Sequence, residues 1–294
     1  MKKTDLVGHD FVGVISKEAY PNQSVFKRYP FVNSIIVLLF PYSNQTRTEH
    51  FVPAKMFYGR DYHLVVKQKL AHLSKQWELP DAVLGVDINP LDEKRCAYLA
   101  GLGTYGDHNL IINPTLGTFF AIGTMMTSAF FDKYDQPIAE LCTHCGDCIR
   151  ACPTQALDDG FNKQLCLSYL SQTNSQNFAR YDFMKNSCYG CDLCQDACFF
   201  NHHPDWGLPE LAWDGLSVLS LDAMLKLNFE TFLDAYQQKS WNWIGYDRML
   251  RNIMVVKNGY QKLTNQEVEQ IKAKILSPWF LNHLQYLRGQ HGKS

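Results

Sequence analysis

With 294 residues, 46% hydrophobic content and 28 basic against 29 acidic side chains, the chain carries enough apolar mass for one large domain or two modest ones with a true core. A net charge of −1 excludes a global basic field for nucleic acid, though not a local basic face. The apolar run at residues 34–40 is too short to cross a bilayer and no secretory or twin-arginine signal opens the chain, so a cytoplasmic protein outside the membrane is expected.

Residues 10–15 are a short β-rich run, and residues 32–40 are a longer one closed by Pro41. The continuous apolar content of the second predicts a strand buried on both faces. Asp61 stands where it can cap a helix running to about Trp77, with Val65, Leu70 and Leu73 on its inner face. Residues 82–87 read as a strand. It ends at Asp87, whose place before Asn89 and Pro90 would by itself indicate an Asx turn. Residues 92–100 read as a helix closed by Gly101 and Gly103. Residues 110–112 and 119–122 read as two strands joined by a turn at 113–117. Gly101, Gly103 and Gly106 match the letters of a dinucleotide fingerprint, but they end a helix, whereas a dinucleotide loop follows a strand and opens a helix.

Of the ten cysteines, all but Cys96 lie between residues 142 and 198. Cys142, Cys145, Cys148 and Cys152 form one C-x2-C-x2-C-x3-C run, with Pro153 following. Cys188, Cys191, Cys194 and Cys198 form a second. This is the spacing of a two-cluster bacterial-type ferredoxin, in which the fourth cysteine of each run reaches the other cluster. The first 4Fe–4S cluster is therefore assigned to Cys142, Cys145, Cys148 and Cys198, and most of the second to Cys152, Cys191 and Cys194. Ferredoxin spacing nominates Cys188 as the remaining ligand, and Cys166, between the runs, is the other choice. Zinc ribbons use paired rather than triple motifs, and disulfide frameworks belong to small secreted chains. Residues 219–227, 229–237, 246–256 and 266–287 read as helices, the last interrupted near Pro278. The final segment is rich in lysine, including Lys257, Lys262, Lys272, Lys274 and Lys293. Such a spread is either a solvated helix face or a phosphate-facing patch.

The order of short motifs resembles the epoxyqueuosine reductase family, cobalamin-dependent iron–sulfur enzymes of tRNA queuosine modification. Residues 58–63, Tyr58-Gly59-Arg60-Asp61-Tyr62-His63, resemble its G-R-D-Y-H segment. Val86-Asp87, Pro90 and Glu93-Lys94 resemble V-D-[ST]-x-P-[VL]-x-E-R. Residues 100–113 resemble A-G-L-G-W-I-G-K-x-x-L-L-I-N. Cys166 and the residues after it resemble C-I-S-Y-L, and residues 189–201 resemble Y-G-C-D-D-C-Q-x-x-C-P-W-N. Arg251-Asn252 resembles an R-N helix end. The match runs from about Val12 to about Gly259. It departs at residues 104–107, which read Thr-Tyr-Gly-Asp for W-I-G-K, and at Phe199-Phe200 for P-W.

The resemblance implies an α+β fold: a nitroreductase-like cobalamin-binding domain (1–135), a two-cluster ferredoxin-like module (136–205) and a helical segment (206–294), in a short form without the C-terminal repeat domain. It favours Cys166 over Cys188. It implies that Asp87 is the proton donor, which requires a raised pKa in an apolar, water-poor pocket. It also implies that Tyr58, Arg60, His63, Gly101, Gly103 and Gly106 belong to the cofactor-binding residues, the small glycines letting backbone approach a flat corrin. Because no D-x-H-x-x-G motif is present, the corrin would take no histidine from such a motif, and His63, His108, His202 and His203 are polar contacts rather than cobalt ligands. The implied partners are tRNA and a low-potential electron donor such as flavodoxin or ferredoxin, with the enzyme a monomer. Two other classes share these features: a reductive-dehalogenase-like cobalamin enzyme for a small molecule, and an iron–sulfur electron carrier without cobalamin.

Overall fold

The computed structural model describes residues 1–215, 219–275 and 277–289. In chain order the strands are β1 (Val12–Ser16), β2 (Ser34–Pro41), β3 (Val52–Pro53), β4 (Val83–Val86), β5 (Thr104–Tyr105), β6 (Ile111–Ile112), β7 (Phe120–Thr127) and β8 (Ser187–Tyr189). The α-helices are α1 (Tyr62–Gln76), α2 (Glu93–Leu99), α3 (Asp147–Ala151), α4 (Leu167–Ser171), α5 (Phe178–Tyr181), α6 (Leu193–Asp196), α7 (Leu221–Lys226), α8 (Phe229–Ala235), α9 (Gly245–Tyr260), α10 (Asn265–Lys274) and α11 (Pro278–Gly289). They group into two compact units. The first comprises Met1–Asn44, Tyr62–Asp147 and Ala197–Ala212. The second comprises Gln45–Asp61, Cys148–Asp196 and Trp213–Ser294. The chain crosses between the units several times, and the cysteine region is shared by both. Lys293 lies outside the described residues.

The first unit is built on an antiparallel sheet of order β1-β2-β7-β4. Every residue of β2 and of β7 is buried, as the unbroken apolar run of β2 predicts. An antiparallel sheet commonly leaves one face wet, but helices cover both faces here. Ile35, Val37 and Leu39 share a core with Cys96, Ala97 and Ala100 around α2. On the other face α1 comes so close that a Cβ on Gly123 would meet Val66 and Leu70 at about 3 Å. Asp92 caps α2, accepting from the Arg95 N–H at 3.0 Å.

The strands at residues 110–112 and 119–122 are joined by a turn at 113–117, as expected, but each pairs elsewhere. Residues 110–112 and 119–122 do not form a hairpin. Ile111–Ile112 pairs with Thr104–Tyr105, while β7 runs between β2 and β4. The cause is the linker. The Asn113 side chain accepts from Thr115 and Leu116 N–H groups, both at 2.9 Å, and donates to the Leu102 carbonyl at 2.6 Å. This closes a local Asx turn, and Gly117, at φ +58°, then turns the chain toward the main sheet.

The second unit is mostly helical. α9 is buried along most of its length and packs with α7, α8, α11 and β8. The only sheet pairing here among the described residues is the short parallel contact of β3 with β8. Arg251 of α9 is fully buried. Its guanidinium donates to the carbonyls of Leu170 (3.4 Å) and Thr173 (2.8 Å) and lies 4.2 Å from the centre of the Tyr181 ring, while Asn252 donates to the Ser171 carbonyl at 2.8 Å. These bonds satisfy the carbonyls at the C-terminal end of α4. Burial pulls the Arg251 pKa down to about 10, which still leaves a cation at neutral pH. Arg251→Ala should therefore cost about 3 kcal/mol or more, since hydrogen bonds from a charged donor contribute about 1.5–3 kcal/mol each. For a unit of this size that is a fall of roughly 6–12 °C in Tm, measurable by thermal denaturation.

Candidate functional site

The cysteines divide between the two units. In the second unit, Cys152 follows α3, Cys166 is the N-cap residue of α4, and Cys191 and Cys194 bracket the start of α6. Burial pushes the Cys191 thiol up to about 12 and also raises the Cys194 thiol well above its usual value. Cys166 and Cys152 act on both in the same direction, so the four sulfurs are electrostatic neighbours. The Ala156 N–H donates to Cys152 Sγ at 3.3 Å and the Leu193 N–H to Cys191. Four neighbouring thiols, two of them strongly desolvated, with amide donors aimed at the sulfurs, fit a 4Fe–4S cluster, whose iron replaces the thiol protons.

Cys188 does not join this group. Its side chain is fully buried in the apolar core of the unit and donates to the Phe51 carbonyl at 3.0 Å. The reversal comes at Gly190, with φ +75°, where a Cβ would meet Ala54 at 2.7 Å. The chain turns there before Cys191, leaving Cys188 on β8. Cys188, the residue that ferredoxin spacing nominates, is thus set apart from the Cys152, Cys166, Cys191 and Cys194 group. The sequence reading did not single out Lys55. Its N–H donates to Asp192 Oδ2 at 2.8 Å and its ammonium pairs with Asp196, so both carboxylates of the Cys191–Cys194 loop are held by one buried lysine. Burial pushes Asp192 up to about 6, opposed by Lys55.

In the first unit, Cys142 and Cys145 both act on Cys198, whose sulfur also accepts from the Phe200 N–H. Cys148, one C-x2-C step after Cys145, falls in the second unit and is buried. His144, between Cys142 and Cys145, contacts Asp107 at 2.7 Å and Glu140 at 3.1 Å. Asp107 stands where the resembled motif has lysine, so the departure is matched by a partner on the cysteine loop.

At the edge of the main sheet, Asp87 follows β4 in a left-handed conformation, φ +57°. Its carboxylate meets His63 Nε2 at 3.2 Å, and the His63 ring stacks on Tyr62 with centroids 4.0 Å apart. The Asp87 N–H donates to Glu93 Oε1, which also accepts from Asn89 Nδ2 at 2.6 Å. Asp87 is 56% exposed and the neighbouring Ile88 91% exposed. Burial chiefly pushes the Glu93 carboxyl up to about 7.

The other expected cofactor contacts are drawn from both units. Tyr58 and Arg60 belong to the second unit, His63 to the first. The Lys239 ammonium takes the carbonyls of Tyr58 and Gly59, both at 2.9 Å, and pairs with Asp214 at 2.7 Å. Arg60 Nε is buried without a partner among the described residues. A Cβ at Gly101 would lie 2.5 Å from the Gln136 carbonyl oxygen, at Gly103 2.3 Å from that of Ile112, and at Gly106 2.6 Å from His108. These glycines allow a close approach of chain to chain. His108 accepts from the Leu110 N–H at 3.2 Å, and burial depresses its pKa to about 4, so it is a neutral polar contact. Among the described residues no helix is long and apolar enough to cross a membrane.

Comparison with known proteins converges on one family. A family model described as "4Fe-4S double cluster binding domain" matches residues 141–201, and one described as "Epoxyqueuosine reductase QueG, DUF1730" matches residues 23–85. An epoxyqueuosine reductase of Listeria monocytogenes is 30% identical over 85% of this chain and 69% of its own length. One from Cyclobacterium marinum is 31% identical over 76% of each, and one from Staphylococcus aureus is 30% identical over 69% of this chain but 55% of its own. The match thus spans from about half to three quarters of these relatives. The fold is that of a crystal structure of epoxyqueuosine reductase with an epoxyqueuosine-modified tRNA-Tyr stem loop, at TM-score 0.85 and 23% identity, covering 99% of this chain and 90% of that one. A structure from Streptococcus thermophilus gives TM-score 0.83 at 21% identity, covering 99% and 88%.

Proposed function

The chain belongs to the epoxyqueuosine reductase family, and on that premise we propose that it reduces the epoxide of epoxyqueuosine in tRNA to the alkene of queuosine. The reaction consumes two electrons and two protons and releases the oxygen as water. Two 4Fe–4S clusters and a cobalamin are its cofactors. When bound, the corrin supplies a centre that takes electrons singly and reacts as a strong reductant or nucleophile. In this reading residues 1–135 are the nitroreductase-like cobalamin-binding part, 136–205 the two-cluster part and 206–294 the helical part. Cys142, Cys145, Cys148 and Cys198 hold one cluster, and Cys152, Cys166, Cys191 and Cys194 hold the other. The observation that carries the reading is the gathering of those last four thiols, two of them strongly desolvated, in a chain that also presents Asp87 on a constrained, open turn.

Asp87 donates a proton to the leaving oxygen, and His63, 3.2 Å from its carboxylate, orients it. Substrate and corrin would cover Ile88 and exclude the water that now reaches Asp87. Tyr58, Arg60, His63, Gly101, Gly103 and Gly106 are further cofactor contacts. The enzyme acts as a cytoplasmic monomer fed by a low-potential donor of the flavodoxin or ferredoxin type.

The test is conversion of epoxyqueuosine in tRNA under strong reductant, with the protein expressed in the presence of cobalamin. Turnover is expected. A protein that keeps its corrin through gel filtration and reduces it, yet leaves the tRNA unchanged, would instead be a small-molecule reductase. One that keeps only its clusters would be an electron carrier. The cations expected to meet phosphate are largely engaged: Lys257 pairs with Glu267, Lys272 with Glu269, Arg248 bonds to Asn174, Lys274 to the Leu227 carbonyl, and Arg251 is buried. Affinity for tRNA should accordingly fall only modestly with salt, with a log–log slope no steeper than about −3, the value for a few phosphate contacts. A slope beyond about −5 would mean that another basic face carries the contact.

A further inference from the structure

Glu93 takes no part in the chemistry above, yet its side chain is built into the turn that presents Asp87. It is the first residue of α2, directly after the capping Asp92. One oxygen, Oε1, accepts both from the main-chain N–H of Asp87 and from the side-chain amide of Asn89. Asn89 closes the same turn from within: its N–H donates to the Asp87 carbonyl at 3.0 Å, and its Oδ1 accepts from the Leu91 N–H at 2.8 Å. Asp87 meanwhile holds φ +57°, a region that residues with a Cβ rarely occupy. With Ile88 and Asp87 both open to solvent, hydrogen bonds hold the conformation, and the two to Glu93 tie it to α2.

We propose that Glu93 is a positioning residue for the reaction: its carboxylate gathers the Asp87 and Asn89 donors on one oxygen and so aims the Asp87 carboxyl before substrate arrives. The proposal rests on Asp87 being the proton donor. Bonds to an ionised acceptor are roughly twice as strong as neutral ones, and a group fixed in advance need not be ordered during the reaction. The carboxyl also titrates in a useful range. Burial raises its pKa to about 7, the charge of Asp87 adds to the rise, and the two donors and His63 on α1 oppose it. Asp87 and His63 are the titratable groups acting on it. As pH falls below neutral, Glu93 takes up a proton from solvent and the clasp on the turn loosens.

The experiment compares holoenzyme with Glu93→Ala and Glu93→Gln, reading turnover on epoxyqueuosine tRNA together with amide hydrogen exchange of the peptide covering residues 86–91. Glu93→Ala should speed exchange in that peptide at least tenfold and lower kcat by roughly 10- to 100-fold, with KM within about twofold, the pattern of a displaced catalytic group. Glu93→Gln offers an amide oxygen to the same donors. It should restore most of the lost kcat and flatten the pH profile between about 6 and 8, where the carboxyl would have titrated. Unchanged exchange or unchanged kcat in Glu93→Ala overturns the proposal. So does a Glu93→Gln variant as impaired as Glu93→Ala, which would mean that Glu93 acts through its own proton. If Glu93→Ala fails to fold, the exchange and pH profile of Glu93→Gln decide alone. A wild-type enzyme without turnover would remove the tRNA reading, and the exchange result would still decide whether Glu93 holds the turn.

Discussion

Asp87→Asn should lower kcat on epoxyqueuosine tRNA by roughly 100- to 10,000-fold, the usual worth of a positioned general acid. The substitution is a clean probe because of where the residue sits. Asparagine tolerates the left-handed conformation at φ +57° at least as well as aspartate. The main-chain N–H that Glu93 holds is unaffected, and an amide oxygen can still meet His63. What disappears is the proton. Iron content, corrin retention and tRNA affinity should match the wild type, so the loss should fall on kcat alone. An Asp87→Asn enzyme as active as wild type would return Asp87 to being a turn residue, the reading that its place before Asn89 and Pro90 supports without any family context.

How far the residues could be read in advance varied with how local the determining forces are. The β2 run declared itself because helices cover both of its faces, leaving no polar position to interrupt it. The capped helix at Asp92 and the long helix through Val65 and Leu70 were legible for the same reason: caps and apolar stripes are set within a few residues. The pairing of the strands on either side of residues 113–117 shows the limit. Both strands were recognised, but pairing depends on where Asn113 ties the linker, and its bond to the Leu102 carbonyl has no signature in the strands themselves. The β3–β8 contact escaped because two or three residues at each of two distant places carry no periodicity. The Asp87 site was found only through motif resemblance, and the burial beside it falls on Glu93, a partition between two carboxyls six positions apart that spacing cannot foresee. Lys55 was missed altogether. A lone lysine after a proline-containing segment reads as surface, and only the fold brings it against Asp192 and Asp196.

The cysteine region offers the sharpest test of spacing against structure. In a regular two-cluster ferredoxin run Cys188 would be a ligand, and Cys188→Ser should then cost a cluster. The arrangement here predicts the reverse. Cys166 is the N-cap residue of α4 and acts, with Cys152, on both Cys191 and Cys194. Without it three thiolates remain for a cube that needs four, and the far end of α4, pinned by Arg251 and Asn252, prevents the helix from sliding to offer another donor. Anaerobically reconstituted wild type should hold about eight iron and eight sulfide, the content of two cubes, and Cys166→Ser about four of each. Cys188→Ser should keep all eight. Its hydroxyl can donate to the Phe51 carbonyl as the thiol does, so the change should cost no more than about 1 kcal/mol, the typical net worth of one hydrogen bond. The electron paramagnetic resonance spectrum of dithionite-reduced protein separates the outcomes independently of iron analysis: two interacting clusters in wild type and Cys188→Ser, one isolated cluster in Cys166→Ser. If Cys188→Ser instead loses half its iron while Cys166→Ser retains it, the ligand assignment is wrong, and β8 must rearrange around the cluster in the loaded protein.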